Sequence, residues 1–287
     1  MNCNICPRKC NIDRTAAHGY CGVGEGFKIA RADLHFWEEP VISGTNGSGT
    51  VFFSGCSMGC VFCQNKQISH GRFGREISGE RLLRIFYELK EKGAHNINLV
   101  TPTHYTDMLL PIIEKSPLPI VWNSSAYESV DTLKALEGRV SIFLPDFKFS
   151  DSEISQRYSN CRDYPQIAKK AILEMFRQTG RYKTENNIMQ SGVVIRHLIL
   201  PDNLKNTYGV IDWVADNFEK GDVLFSLMSQ YTPYSRLPFE ELNRRIDKKE
   251  YILARNYMLK RNITEGFVQE LSSAKEEYTP SFDLTGV

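Results

Sequence analysis

The chain has 287 residues, 41% of them hydrophobic and 24% charged, the proportions of a globular protein long enough for one large domain and a small appendage. Thirty-five Lys and Arg balance 34 Asp and Glu to a formal charge of +1, so no global field points to nucleic acid, an anionic membrane or an acidic substrate. Met1-Asn2-Cys3-Asn4 offers no basic segment followed by an apolar one, and no apolar stretch approaches bilayer-spanning length, which makes a cytoplasmic protein without membrane contact the expectation.

Residues 1–49 read as a cysteine-rich, glycine-punctuated lead-in that ends in Ser43-Gly44-Thr45-Asn46-Gly47-Ser48-Gly49, a turn between short strands. No Gly-Lys-Ser or Gly-Lys-Thr follows, which argues against a phosphate loop. Residues 50–287 read as the core. Strand-like runs at 50–53, 97–100, 120–122, 140–144, 193–200 and 223–228 alternate with helical stretches at 80–92, 106–116, 130–137, 164–179 and 206–218, and a last helix covers 248–261. Leu82, Ile85, Phe86 and Leu89 put one apolar face on the first helix. Asp247 with Glu250 three positions on gives the last helix its start signal. Strand-helix repeats of this kind make a parallel sheet with right-handed crossovers, and spacing alone does not choose between an open sheet and a curved partial barrel. Both carry their active sites at the C-terminal ends of the strands.

Seven of the eight cysteines fall within the first 63 residues, a grouping that in a cytosolic chain indicates metal rather than disulfides. Cys56, Cys60 and Cys63 form a C-x3-C-x2-C loop directly after the first core strand. Three thiolates so close in sequence wrap one 4Fe-4S cluster and leave its fourth iron without a protein ligand, an open position where chemistry occurs. Gly55 and Gly59 let the backbone fold tightly there. Cys3, Cys6, Cys10 and Cys21 form a second set of four, able to close a site on zinc, on a single iron or on an auxiliary iron-sulfur cluster. Cys161 stands alone as a free thiol.

The C-x3-C-x2-C spacing, with Phe62 before its last cysteine, resembles the signature of the radical S-adenosylmethionine (SAM) superfamily. Further stretches resemble the pyruvate formate-lyase activating enzyme homologues: Cys6-Pro7-Arg8-Lys9-Cys10, His35-Phe36-Trp37-Glu38-Glu39-Pro40, Val100-Thr101-Pro102-Thr103-His104, Leu144-Pro145-Asp146-Phe147-Lys148 and Ser229-Gln230-Tyr231-Thr232-Pro233. The resemblance implies a partial (β/α)6 barrel with the cluster loop at its C-terminal rim. It also implies that a reduced 4Fe-4S cluster cleaves SAM to a 5′-deoxyadenosyl radical, which takes hydrogen from a substrate. A one-electron reductant such as flavodoxin or ferredoxin is the expected partner, and a glycyl-radical enzyme the expected target. Direct action on a small molecule, peptide or RNA is the alternative. A non-catalytic metal-binding adaptor, the alternative of another class, is disfavoured by the open three-cysteine loop and the absence of a basic face.

The same resemblance assigns SAM to the strand ends. Where the superfamily often has Gly-Gly-Glu, this chain has the Thr101 to His104 turn, so Thr101 and Thr103 are expected to hold the amino group. Asn123 and Ser124, then Asp146 and Lys148, follow the next two strands; Asn123 in place of Asp weakens the case for a bound cation. Arg196 has the fork suited to the SAM carboxylate, and strand alternation then turns His197 to the opposite face as a structural histidine. His104, Ser229 and Gln230 are candidates for adenosine or substrate. His35, Glu38 and Glu39 are expected either to line a substrate channel or to pin the lead-in onto the barrel.

Overall fold

The computed structural model describes residues 3–271 and 280–287. Met1 and Asn2, on which the expectation of no leader partly rests, lie outside them, as does 272–279 of the expected core. Among the described residues ten strands occur in chain order: β1 Phe27–His35, β2 Ser48–Phe53, β3 Arg75–Ile77, β4 Ile97–Val100, β5 Ile120–Ser124, β6 Ile142–Pro145, β7 Lys183–Glu185, β8 Ile188–Leu198, β9 Leu224–Met228 and β10 Gly266–Val268. Their order across the sheet is β10-β9-β8-β6-β5-β4-β2-β1-β3, with β7 paired to β8. Along the path β2-β4-β5-β6-β8-β9-β10 every pairing is parallel, whereas β7 lies antiparallel to β8. The sheet is that of the expected partial barrel, extended by the antiparallel β1 and β3 on one side and by a seventh parallel strand, β10, on the other.

The crossovers are helical for local reasons. The Ser78 side chain accepts from Arg81 N and starts Gly79–Glu91, which buries Leu82, Ile85, Phe86 and Leu89. Asp247 and Glu250 form a complete capping box on Lys248–Lys260. Tyr164–Thr179 carries proline in its first turn, where the missing N–H has no intrahelical partner to lose.

Period-two alternation separates two apolar layers. Leu99, Trp122, Phe143 and Ile195 face outward and pack with helix residues such as Phe86, Leu109, Ile172 and Ile211. Val121, Ile142, Leu144, Val194 and Leu224 face inward, and Ile42 from the helical turn Pro40–Ser43 packs among them. Each fully buried side chain of this kind contributes roughly 1.5–3 kcal/mol, so the lead-in closes the barrel floor with its own apolar residue. Above that floor the same inward positions become polar, with Asn98 on β4, Asn123 on β5 and Arg196 on β8.

Residues 282–287 run along the edge of β1 beyond β3. Leu284 N donates to Ala30 O at 3.0 Å and Ala32 N to Thr285 O at 2.9 Å, Phe282 meets Phe52 edge-on at 5.4 Å, and Arg31 pairs with Asp283 at 3.0 Å. No helix among the described residues is long and apolar enough to cross a membrane.

Candidate functional site

The loop between β2 and the helical turn Lys66–Ser69 carries Cys56, Cys60 and Cys63. Gly55 and Gly59 take φ of +85° and +67°, which a residue with Cβ adopts only at a cost. The backbone is also crowded there, since a Cβ on Gly55 would stand 2.6 Å from Cys21 O and one on Gly59 2.8 Å from the Tyr20 hydroxyl. Each of the three sulfurs accepts a hydrogen bond: Cys56 from Met58 N at 3.3 Å, Cys60 from Ser159 Oγ at 3.1 Å and Cys63 from Ser69 Oγ at 3.3 Å. Donors aimed at sulfur stabilise thiolate charge and tune a bound metal. Burial pushes the Cys60 thiol up to about 12 against the pull of Lys148, so without metal it is a neutral thiol, and ligation would take its proton. This donor set fits an iron-sulfur cluster. Phe62 packs edge-on between Phe149, Tyr158 and Tyr231, with centroids 6.1 to 6.3 Å away.

The three cysteines open into a cavity of about 190 Å3 at the C-terminal ends of the parallel strands. The cavity gathers most of the residues singled out in the sequence: Thr101, Asn123, Ser124, Asp146, Lys148, Arg196 and Gln230 from the core, and His35, Glu38 and Glu39 from the lead-in. Arg196 is its electrostatic centre. Nε donates to Asp146 at 2.7 Å, Nη1 to Glu38 at 2.8 Å and Nη2 to Asn123 at 2.8 Å. Asp146 also pairs with Lys148 at 2.6 Å; although burial alone would raise it, the charges of Arg196 and Lys148 hold its carboxyl below the ordinary range. Glu38 accepts from Asn98 and Asn123, each at 3.1 Å, so it both pins the lead-in and lines the cavity. Glu39 Oε2 is buried without a hydrogen-bond partner among the described residues. It stands 3.7 Å from Arg196 Nη1, and burial, with Glu38 adding, raises its pKa against that charge.

Alternation holds at both strand ends. Phe147 turns away from the cavity onto Trp213 at 5.2 Å, and His197 points outward, bonded to Phe147 O at 2.7 Å and Thr207 Oγ1 at 3.0 Å. Burial pushes His197 down to about 4. Thr101 adopts φ +61°, a left-handed conformation that is an outlier for a β-branched residue and is found where surrounding structure enforces it. Its amide donates to Asn123 O at 2.8 Å, which ties the ends of β4 and β5 together beneath the cluster loop.

Three candidates lie elsewhere. Thr103 donates to the buried Glu128 at 3.0 Å, because the 3-10 turn Thr103–Tyr105 carries it past the rim. The same turn puts His104 against Ser54 O at 2.9 Å, facing the cavity of the N-terminal cysteines. Ser229 Oγ donates to Gln269 O at 2.7 Å. Ser69 and Ser159, the donors to sulfur, were not singled out in the sequence. Ser69 stands six residues after Cys63 and is a readable signal, whereas Ser159 is 99 residues from Cys60 and gives none.

Cys3, Cys6, Cys10 and Cys21 line a second cavity of about 10 Å3 with Ile5, Ile12 and His104. Burial pushes Cys6 up to about 12, and Cys21, Cys10 and Cys3 raise it further, so the four are electrostatic neighbours. Among the described residues no group of three or more His, Cys, Asp or Glu side chains is drawn together closely enough to hold a metal ion as it stands.

A parallel partial barrel whose first strand runs into a three-cysteine loop at the rim is the radical SAM fold. The family model of a 4Fe-4S single cluster domain matches residues 42–137, a span that includes all three loop cysteines. The chain belongs to the same family as the uncharacterized protein MJ0674 of Methanocaldococcus jannaschii, to which it is 31% identical over 262 residues, covering 87% of this chain and 72% of that one. Among solved structures, its fold is similar to Streptococcus suis SuiB bound to S-adenosylmethionine, with a TM-score of 0.53, 15% identity and coverage of 77% of this chain and 50% of SuiB. SuiB bound to its precursor peptide SuiA gives a TM-score of 0.52 at 17% identity, covering 76% and 48%. The chain thus spans about half the length of SuiB.

Proposed function

We propose that the protein is a radical SAM enzyme whose 4Fe-4S cluster is bound by Cys56, Cys60 and Cys63, and which abstracts hydrogen from a glycine of a partner glycyl-radical enzyme. The observation that carries the reading is the convergence on one cavity of three cysteines, each with a hydrogen bond to sulfur, and a buried charge network. When bound, the cluster supplies one electron that cleaves SAM to methionine and a 5′-deoxyadenosyl radical.

The chain's own residues bind and orient. Lys148 and Arg196 would take the SAM carboxylate, with Asp146 fixing both cations in place. Asn123 and Ser124 would stand beside the carboxylate, and Thr101 would take the amino group, an assignment that its strained backbone supports. Burial of the cavity floor under Ile42 and the Glu38–Arg196 pair keeps water from the reacting centre. A flavodoxin or ferredoxin would supply the electron in the cytoplasm. The use of the same fold by SuiB, bound to a precursor peptide in one structure, favours a peptide segment as substrate, and a glycine-bearing loop is one.

Anaerobic reconstitution followed by reduction with SAM tests the chemistry: 5′-deoxyadenosine should form in the wild-type protein, and its absence defeats the reading. Incubation with a glycyl-radical enzyme encoded beside the gene tests the substrate, the expected outcome being a glycyl radical seen by electron paramagnetic resonance.

A further inference from the structure

Arg8 lies between Cys6 and Cys10, yet its side chain belongs to the cluster loop. Nε donates to Ser57 O at 2.8 Å and Nη1 to Asn160 O at 2.9 Å. Nη2 is shared by Cys161 Sγ at 2.7 Å, Met58 O at 3.3 Å and Ser159 O at 3.3 Å. One face of the guanidinium lies 3.8 Å from the centroid of the Tyr20 ring, beside Cys21. All three nitrogens therefore meet acceptors on two segments remote in sequence. A planar fork of five N–H donors is suited to such a fan of carbonyls, and the single ammonium of lysine is not.

The two segments are the ones that shape the cluster site. Ser57 and Met58 separate Cys56 from Cys60, and Ser159, besides giving its carbonyl to Arg8, donates its hydroxyl to Cys60 Sγ at 3.1 Å. The N-terminal cysteine group is thus not a knuckle set apart from the catalytic loop, as its separation in sequence suggests, but is clasped to it through one side chain. We propose that Arg8 is a positioning residue for the cluster: it fixes the Ser57–Met58 backbone and the Ser159 donor, and so transmits the fold of the N-terminal cysteine group to the environment of the cluster sulfurs. The inference rests on the reading that Cys56, Cys60 and Cys63 bind a 4Fe-4S cluster.

A nearby cation and a hydrogen bond to sulfur both favour the more negative, reduced cluster, so losing them should lower the reduction potential. The test uses full-length Arg8→Ala and Arg8→Lys proteins, reconstituted anaerobically. Both should keep wild-type iron and sulfide content. Arg8→Ala should show a more negative midpoint potential and displaced g values for the reduced cluster, and Arg8→Lys should recover only part of either shift, since it restores charge without the fork. A second arm needs no cluster. In protein purified without added iron, amides of 57–60 and 159–161 should exchange with deuterium at least about tenfold faster in Arg8→Ala than in wild type. Full iron content with unchanged potential, g values and exchange in Arg8→Ala overturns the proposal. If Arg8→Ala does not fold, Arg8→Lys carries both comparisons. If the wild-type protein binds no cluster, the reading of the three cysteines fails, and the exchange arm still decides whether the clasp exists.

Discussion

The chain holds two cysteine groups within its first 63 residues, and the space around them differs by more than their number does. Cys56, Cys60 and Cys63 border a chamber of about 190 Å3 walled in part by the charged side chains of Glu38, Asp146, Lys148 and Arg196. Cys3, Cys6, Cys10 and Cys21 border one of about 10 Å3, walled in part by Ile5 and Ile12. A metal centre that performs chemistry needs an open coordination position and room for a second molecule, whereas a structural centre needs neither. On the proposed reading the same residue type would serve two ends, according to what the surrounding strands and loops leave open. Sulfur-directed donors mark the contrast too. Each thiol of the triad has one, and for two of them it is a serine hydroxyl from outside the loop's cysteine run. In the quartet the donors among the described residues are backbone amides alone: Tyr20 to Cys10 at 3.4 Å, Arg8 to Cys6 and Val23 to Cys21.

The largest test of this contrast exchanges the two groups as targets. Replacing any one of Cys56, Cys60 or Cys63 by Ala should reduce 5′-deoxyadenosine formation to background. Replacing Cys10 should leave cluster iron in place, with its main cost in thermal unfolding. Metal analysis of the triple variant at 56, 60 and 63 sharpens the point: whatever metal remains belongs to the quartet, and a triple variant that still cleaves SAM would sink the distinction.

Next in size is the charge network that makes the open chamber polar. Arg196→Ala leaves Asp146 to Lys148 alone and Glu38 to the Asn98 and Asn123 amides, and should cost about 3–5 kcal/mol in denaturant unfolding, with weaker SAM binding by calorimetry. An Arg196→Ala protein of wild-type stability and SAM affinity would mean that the network does not shape the site.

Acidification probes the scaffold that both groups share. His197 is buried and its pKa is pushed from 6.5 to about 4, so between those values the unfolded chain binds the extra proton. Its contribution is therefore complete above pH 6.5 and is lost as pH falls toward 4, by up to about 3 kcal/mol. Unfolding curves for wild type and His197→Gln across that range should converge as pH falls, and parallel curves would contradict the assignment. The smallest effect is expected from Ser159→Ala, which removes one donor to Cys60. It should cost about 0.5–1.5 kcal/mol while iron content stays whole, and loss of the cluster instead would make that hydrogen bond a condition of assembly.

Much of this architecture is legible in the sequence because the signals are local. Residues 97–100 and 164–179 are read with their observed bounds, one from a β-branched and apolar run between turns, the other from its helical apolar period. Asp146, Lys148 and Arg196 are singled out at strand ends by the family resemblance, and period two separates them from Phe147 and His197. What escapes is of two kinds. β10 has three residues and begins with Gly266, too short for any periodicity to register. Arg8 and Ser159 act across 49 to 153 residues, and nothing in their neighbourhoods announces a partner at that range. His104 illustrates the opposite error. Its closeness in sequence to Thr101 suggests a common site, but one 3-10 turn suffices to rotate it from the chamber of the triad to that of the quartet.

The pairing of 282–287 with β1 bears on the order in which the chain acquires its structure. β1 meets β2 across a short connection, so little loop closure is needed to pair them. Among the described residues its outer edge at 30–32 is closed by Leu284 and Thr285, about 250 residues further on. During synthesis at roughly 5–20 residues per second, that edge stands open for tens of seconds, with unpaired amides next to the segment that will bring Glu38 and Glu39 into the barrel. Long-range closure of this kind slows folding and exposes an edge able to recruit another chain. Ribosome-bound intermediates stalled before residue 284 should therefore be the species most prone to aggregate and most dependent on chaperones.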